Sequence, residues 1–324
     1  MRTGSLNSTR FATLFAVTPT PDTPPLPDPQ RGFAAAAIPV APPDDAPTPN
    51  AKLWLIPLAV LALVQLGAPF VPVPNVAIAL LGVTLLTLIY TGGVVAFSLG
   101  MARQKWPLPV ILAGCAASAL VYKAVDVALS RSLWGAPAHS LSLLLLATFF
   151  GLLVARMIRH ANMVGPIGVM VALIDIWGVL FGGIVSKLLT NKSTQGLAGH
   201  AMASGPRLGA ASAKFHLALP DVGIGDYLFL ALFLGVLVRF GMNWRASAIW
   251  MWAGVSLALL AIVLLPFVPA LPGLLFLGAG AVLPNLRYFQ FTREERFALL
   301  YAGVFVLLLT VALYFGLTSM LPKN

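Results

Sequence analysis

Charge is scarce in this chain. Of 324 residues, 20 are Lys or Arg and 10 are Asp or Glu, so 9% are charged, against about a quarter in a soluble domain. That scarcity excludes an ordinary soluble protein. Cysteine occurs once, as Cys115 in an apolar run, which excludes a disulfide framework and a cysteine-rich metal site and leaves Cys115 as a small packing residue. The four histidines, His139, His160, His200 and His216, lack ligand spacing, so no metal site and no cofactor are expected. No platform of interleaved aromatic and basic residues is visible, and the net charge of +10 is therefore not a nucleic-acid signature. It reads instead as topology determinants beside anionic lipid. Alternating polar and apolar strands are also missing, which argues against an outer-membrane barrel. What is present is hydrophobicity: 59% of residues are hydrophobic and the mean hydropathy is +0.92. Apolar runs near 20 residues recur, each long enough to cross a bilayer, so the class is an all-α polytopic membrane protein.

Residues 1–50 are dense in proline, alanine, aspartate and threonine and carry no apolar period, the pattern of a disordered Pro-rich tail. Arg2 and Arg10 precede a short apolar stretch, Phe11 to Val17, but prolines cut it short, which weighs against a signal peptide. About nine candidate transmembrane helices follow, at 53–71, 76–98, 108–128, 140–157, 163–186, 222–242, 246–267, 270–286 and 297–318. They group as N-terminal helices over 51–160, a central set over 161–286, and one further helix in 287–324. Most connections are short. The exception, Lys187 to Pro220, is polar and free of acids, and a connection of that length is usually functional or disordered. Within it, Lys214 to Leu219 alternates Phe215, Leu217 and Leu219 with Lys214, His216 and Ala218, a short strand pattern. This strand has no evident partner in the sequence and is expected to take one from elsewhere.

The acids narrow the function. Ionisable residues inside a span generally face the bundle interior and mark an ion path or a reactive site. Asp175 lies midway through the apolar run Val169 to Leu180, with no basic residue within a helical turn. Asp226 opens the following helix as Gly223, Ile224, Gly225, Asp226, where glycines let another backbone approach the carboxylate and leave room for water. The two helices are expected to be antiparallel neighbours, with a modest offset bringing the carboxylates level. Two aspartates facing each other in a low dielectric cannot both ionise easily, so one holds a proton while the other is charged. That state can activate water against a peptide carbonyl.

With these residues assembled, the chain resembles the GxGD intramembrane aspartyl proteases: presenilins, signal peptide peptidases and their prokaryotic relatives. The resemblance rests on three motifs in order over residues 163 to 286: Leu173, Ile174, Asp175 in a span, then Gly223 to Asp226, then Pro269, Ala270, Leu271 as the family's PAL motif. It implies a presenilin-like fold, Asp175 and Asp226 as the catalytic pair, and Pro269, Ala270 and Leu271 shaping the site. It further implies that the strand containing Phe215 and Leu217 pairs with an unwound substrate helix by strand addition. The implied substrates are transmembrane proteins or signal peptides in the lipid bilayer, and the implied location is a prokaryotic cytoplasmic (inner) membrane. Ile174 stands where the family has tyrosine, and four helices precede Asp175 where the family has five.

Two other readings stay open. A secondary transporter would use the same carboxylates for a proton or cation, although no internal repeat is evident. A prepilin peptidase also carries GxGD, but Tyr227 and Leu228 follow Asp226 and a cysteine-rich segment is absent. Elsewhere, Lys123 and Asp126 read as a local ion pair, Asp221 as interfacial, Gly92, Gly93, Gly182 and Gly183 as close helix contacts, and Trp244, Trp250 and Trp252 as anchors or packing residues. The distribution of Lys and Arg predicts a cytoplasmic N-terminus and an outer Lys187 to Pro220 loop.

Overall fold

A computed structural model describes residues 50–129, 132, 134–176, 179, 202–209, 217–265, 271–291 and scattered residues of 293–312. The Pro-rich tail, Phe215, Pro269, Ala270, Gly182, Gly183 and most of the 187–220 loop lie outside the described residues. Among the described residues eight α-helices are bounded: α1 (Lys52–Gly67), α2 (Val76–Ala102), α3 (Leu108–Leu129), α4 (Gly135–Met157), α5 (Val164–Ile176), α6 (Ile224–Arg239), α7 (Trp244–Leu264) and α8 (Gly273–Val282). The described residues at 293–312 are also helical. Five helices are long and apolar enough to cross a membrane: α1 with its 3-10 extension to Phe70, α2, α3, α4 and α7. Leu63, Leu120 and Leu257 stand on their outer faces at 73%, 71% and 66% exposure, which water would oppose and lipid tolerates. The protein is an all-α integral membrane protein.

Sequence sets the helix ends. Asn75 caps α2 by accepting the Ile78 amide at 2.9 Å, and Asn243 caps α7 by accepting that of Ala246 at 3.4 Å, each satisfying one of the first-turn amides that have no helical partner. Pro57, inside α1, cannot donate to the Leu53 carbonyl. That oxygen rests directly on Gly100 of α2, where a side chain would collide with it. Among the boundaries that move, α4 begins at Gly135, not 140, α2 runs to Ala102, not 98, and α8 begins at Gly273, not 270, the last because Pro272 precedes its first helical residue.

Lipid is as apolar as leucine, so helix association here depends on close packing and buried polar contacts. α4 and α6 meet where Gly151 faces the Leu228 carbonyl and Gly235 faces Leu152 and Ala155. Gly92 lies under Trp252 of α7, and Gly93 against Leu61 of α1, the close contacts expected of both. Thr91 and Ser256 hydrogen-bond between α2 and α7 at 2.7 Å.

One end of the bundle collects the basic residues. There the Gln104 amide donates to the Asn50 carbonyl at 2.8 Å, Asn162 donates to the Gln290 carbonyl at 2.7 Å, and the Asn243 amide donates to the Asn285 side chain at 2.8 Å. Within this layer these contacts tie the start of α1 to the α2–α3 turn, and the start of α5 and the α6–α7 turn to the segment after α8. Lys52, Arg103, Lys105, Arg156, Arg159, Arg239, Arg245 and Arg287 all sit at the helix ends of this layer.

The opposite end carries two small antiparallel pairs. β1 (Met202–Ala203) pairs with β4 (Val222–Gly223), and β2 (Arg207–Leu208) pairs with β3 (Leu217–Ala218). The strand expected to need a partner from elsewhere therefore has one within the chain, Leu208 opposite Leu217. Its partner is too short, at two residues, to leave an alternation signal. The Ser204 carbonyl accepts from Gln65 at 3.3 Å and from Ser140 at 3.0 Å, fastening this layer to α1 and α4.

Candidate functional site

Asp175 lies near the end of the described part of α5, one residue before Ile176. Its Oδ2 accepts the Leu274 amide at 2.7 Å, and the Leu275 amide also faces it. Leu274 is in the first turn of α8, where amides have no helical acceptor and the helix dipole favours an anion. α8 has no side-chain cap of its own, since Pro272 occupies that position. Asp175 supplies that acceptor from another helix.

Asp226 approaches the same corner from the other side. It lies in the first turn of α6, directly after β4, where Gly223 is in register with Met202. A Cβ added at Gly273 would lie 3.0 Å from Asp226 Oδ1 and 3.3 Å from Oδ2. The two carboxylates thus flank consecutive residues of α8, Gly273 and Leu274, and lie close enough to interact electrostatically. Gly225 faces open space, with nothing within 4 Å of an added Cβ.

The expectation that the Asp175 and Asp226 helices pack as neighbours concerned residues 163–186, of which α5 covers only the first part. Among the described residues α5 packs on α8, and α6 packs on α4, α2 and α8. α8 is the wedge between them. Its close approach to α5 comes from two glycines: a Cβ at Gly278 would lie 2.6 Å from the Gly168 carbonyl oxygen, and one at Gly168 would lie 2.7 Å from Val282. Gly168 precedes Asp175 by seven residues and Gly278 follows Leu274 by four, spans of roughly 10 Å and 6 Å along their helices. The antiparallel crossing at the glycines therefore brings Asp175 up to the start of α8.

Beneath Asp226 lies a cavity of about 40 Å³ lined by Tyr90, Thr91, Asp226, Tyr227 and apolar side chains including Leu230 and Leu277. This is enough for at least one water, which needs some 10 to 15 Å³. The Tyr90 and Tyr227 hydroxyls hydrogen-bond at 2.7 Å in the buried wall. Of the remaining expected site residues, Gly223 and Ile224 flank Asp226 as described, and Leu271 lies two residues before Gly273. Leu217 is in β3, separated from the carboxylates by the chain between β3 and β4. Sequence reading passed over Gly273, Leu274 and the tyrosine pair. The available signal was Pro272-Gly273 directly after Leu271, which marks a helix start and its free amides.

The bland assignments also have places. Lys123 and Asp126 pair at 3.1 Å, and His139 hydrogen-bonds to Tyr122 at 3.1 Å. Among the described residues, no group of three or more His, Cys, Asp or Glu is placed to hold a metal ion. No protein-family model, curated protein or solved structure matches the chain.

Proposed function

We propose that the protein is an intramembrane aspartyl protease of the GxGD type, hydrolysing peptide bonds within membrane-embedded segments with Asp175 and Asp226. The observation that carries this reading is the convergence of the two carboxylates on the first turn of α8, within apolar helices where isolated acids are costly and usually functional. One carboxylate is ionised and takes a proton from a water between the pair. The water oxygen bonds to the scissile carbonyl carbon, and the protonated carboxyl hydrogen-bonds to the developing oxyanion. The proton then passes to the amide nitrogen as the C–N bond breaks, returning the pair to its starting state. Open space at Gly225 provides for approach of the substrate backbone. β4 leads directly into Asp226 and is paired on one edge by β1, so its second edge offers an extended segment main-chain hydrogen bonds.

The remaining elements of this reading are about nine spans in a presenilin-like arrangement, substrates that are transmembrane proteins or signal peptides, and residence in a prokaryotic inner membrane. The test is cleavage of a single-span substrate by purified protein in liposomes. Asp175→Asn and Asp226→Asn should each abolish cleavage with the melting temperature preserved, because an amide cannot exchange the proton. Near-normal proteolysis in either variant refutes the assignment, and carboxylate-dependent proton or cation flux without proteolysis would identify a transporter.

A further inference from the structure

A second cavity lies away from the aspartates. It measures about 740 Å³ and lies in the basic layer at the opposite end, between the α2–α3 turn and the C-terminal ends of α4 and α6. Four cations line it, Arg103, Lys105, Arg156 and Arg239, with apolar residues such as Leu108 and Ile111 below them. No acid is among the lining residues. The one ion pair among the described residues, Lys123 with Asp126, is far along α3. Like charges gathered without a counter-charge are mutually repulsive and need a reason to stay together.

The cations are held in place. Arg239 Nη1 donates to the carbonyls of Ala155, Arg156 and Ile158 at 3.0 to 3.3 Å, capping the C-terminus of α4. Arg156 Nη2 donates to the Trp106 carbonyl. Arg103 stacks over Trp244, 5.1 Å from the ring centre, and its Nε is buried with no hydrogen-bond partner among the described residues. Guanidinium groups present planar forks matched to phosphate oxygens, and a buried N–H with no acceptor is unusual in a native structure. The cavity is thus walled by fixed cationic side chains with no acid among its lining residues, a setting suited to an anion with several oxygens.

We propose that this cavity binds the phosphate of an anionic glycerophospholipid from the adjoining leaflet, with Arg103 and Lys105 as its principal ligands. A lipid is favoured over a soluble phosphate by the wall. α3, which bounds the cavity, buries only Ile111 and Ser118 and packs chiefly on α4, so it is peripheral and lipid-facing. Leu108, 46% exposed, then offers an apolar surface for the glycerol and acyl portions. The phosphate would sit at the level of the helix ends, where headgroups lie, and Trp54 and Trp106, in edge contact at 6.3 Å, occupy the interfacial position usual for tryptophan. Basic pockets between spans are a known mode of headgroup recognition.

The test is retention of phosphatidylglycerol against phosphatidylcholine, read by native mass spectrometry of protein released from mixed nanodiscs. Wild type should retain phosphatidylglycerol preferentially, by roughly tenfold or more given the strength of charged hydrogen bonds. Arg103→Gln with Lys105→Gln should lose that preference. Lys105→Glu, which alters an exposed side chain and leaves the core untouched, should weaken it as well. Arg287→Gln, at the same end but outside the cavity, should keep it. Equal retention of both lipids by wild type, or equal loss of preference in Arg287→Gln, overturns the site, the latter by exposing a diffuse surface effect. Inorganic phosphate and glycerol 1-phosphate should not displace the lipid; displacement by either would assign the cavity to a soluble phosphate and overturn the lipid assignment.

Discussion

Gly273→Ala isolates the geometry of the carboxylate pair from every other property of the site. Gly273 is not among the glycines with positive φ, which are Gly209 and Gly241, so alanine meets no backbone strain there and is the better helix former. The only new contact is its Cβ, 3.0 Å from Asp226 Oδ1 and 3.2 Å from Cγ, tighter than ordinary van der Waals contact. The carboxylate must give way by a few tenths of an ångström or twist from its rotamer, at about 0.5 to 1.5 kcal/mol. If the displaced position is less productive by that amount, cleavage slows by about two- to tenfold, and by up to about a hundredfold if the shift approaches 1 Å. The assay is the initial cleavage rate of a single-span substrate in proteoliposomes, paired with a thermal melt in detergent. The expected result is a slower rate with an unchanged melting temperature, and Gly273→Val should be slower still. An unchanged rate in both variants would show that Asp226 does not lie against Gly273 during catalysis, and the arrangement of both carboxylates around α8 would fall with it.

Gly225→Leu adds bulk where the protein has open space and improves helix propensity, so the melting temperature should hold or rise while cleavage drops at least tenfold; normal cleavage would mean that the substrate backbone does not pass Gly225. Gly278→Leu drives a side chain into the Gly168 carbonyl and should destabilise by about 1 to 3 kcal/mol, lowering both the melting temperature and activity because Asp175 is drawn off Leu274; a wild-type melt would refute the glycine crossing. In a Cys115→Ala background, Ser193→Cys should react with an impermeant thiol reagent on intact cells, the outcome expected if the positive-inside rule holds for the basic layer; reaction only after permeabilisation would invert the topology.

Much of the architecture was legible because membrane helices announce themselves by length and hydropathy. Eight of the expected segments overlap α1 to α8, and two of the boundary differences have local causes. Gly135 to His139 is a weakly apolar helix start, and Pro272 fixes the true beginning of α8 beyond the apolar run that contains Leu271. The two-residue strands were not legible. Arg207 and Leu208 carry no period-2 signal, so the pairing with β3 depends on where the chain returns after Gly205, whose closeness to Leu219 is a property of the folded layer alone.

The site divides along the same line. Asp175 and Asp226 were legible because a carboxylate in an apolar run is conspicuous against its neighbours, but what holds them together was not. The sequence places the second aspartate on the next helix along the chain, and the natural inference is that the two helices touch. Over the described residues α8 lies between them: Asp175 accepts the Leu274 amide, and Asp226 lies against Gly273, which has no side chain to displace it. A free amide and a missing Cβ leave no conspicuous letters in a sequence. They also bear on why a Pro-Gly step follows Leu271. Proline cannot continue a helix backwards, so α8 must start there, and the first-turn amides are then free for a carboxylate from outside. Glycine at the first position lets a second carboxylate come within contact distance of the same turn. An alanine in place of Pro272 would allow the helix to extend toward Leu271 and consume one of those amides, so the two residues together turn an ordinary helix start into the point at which both acids can meet.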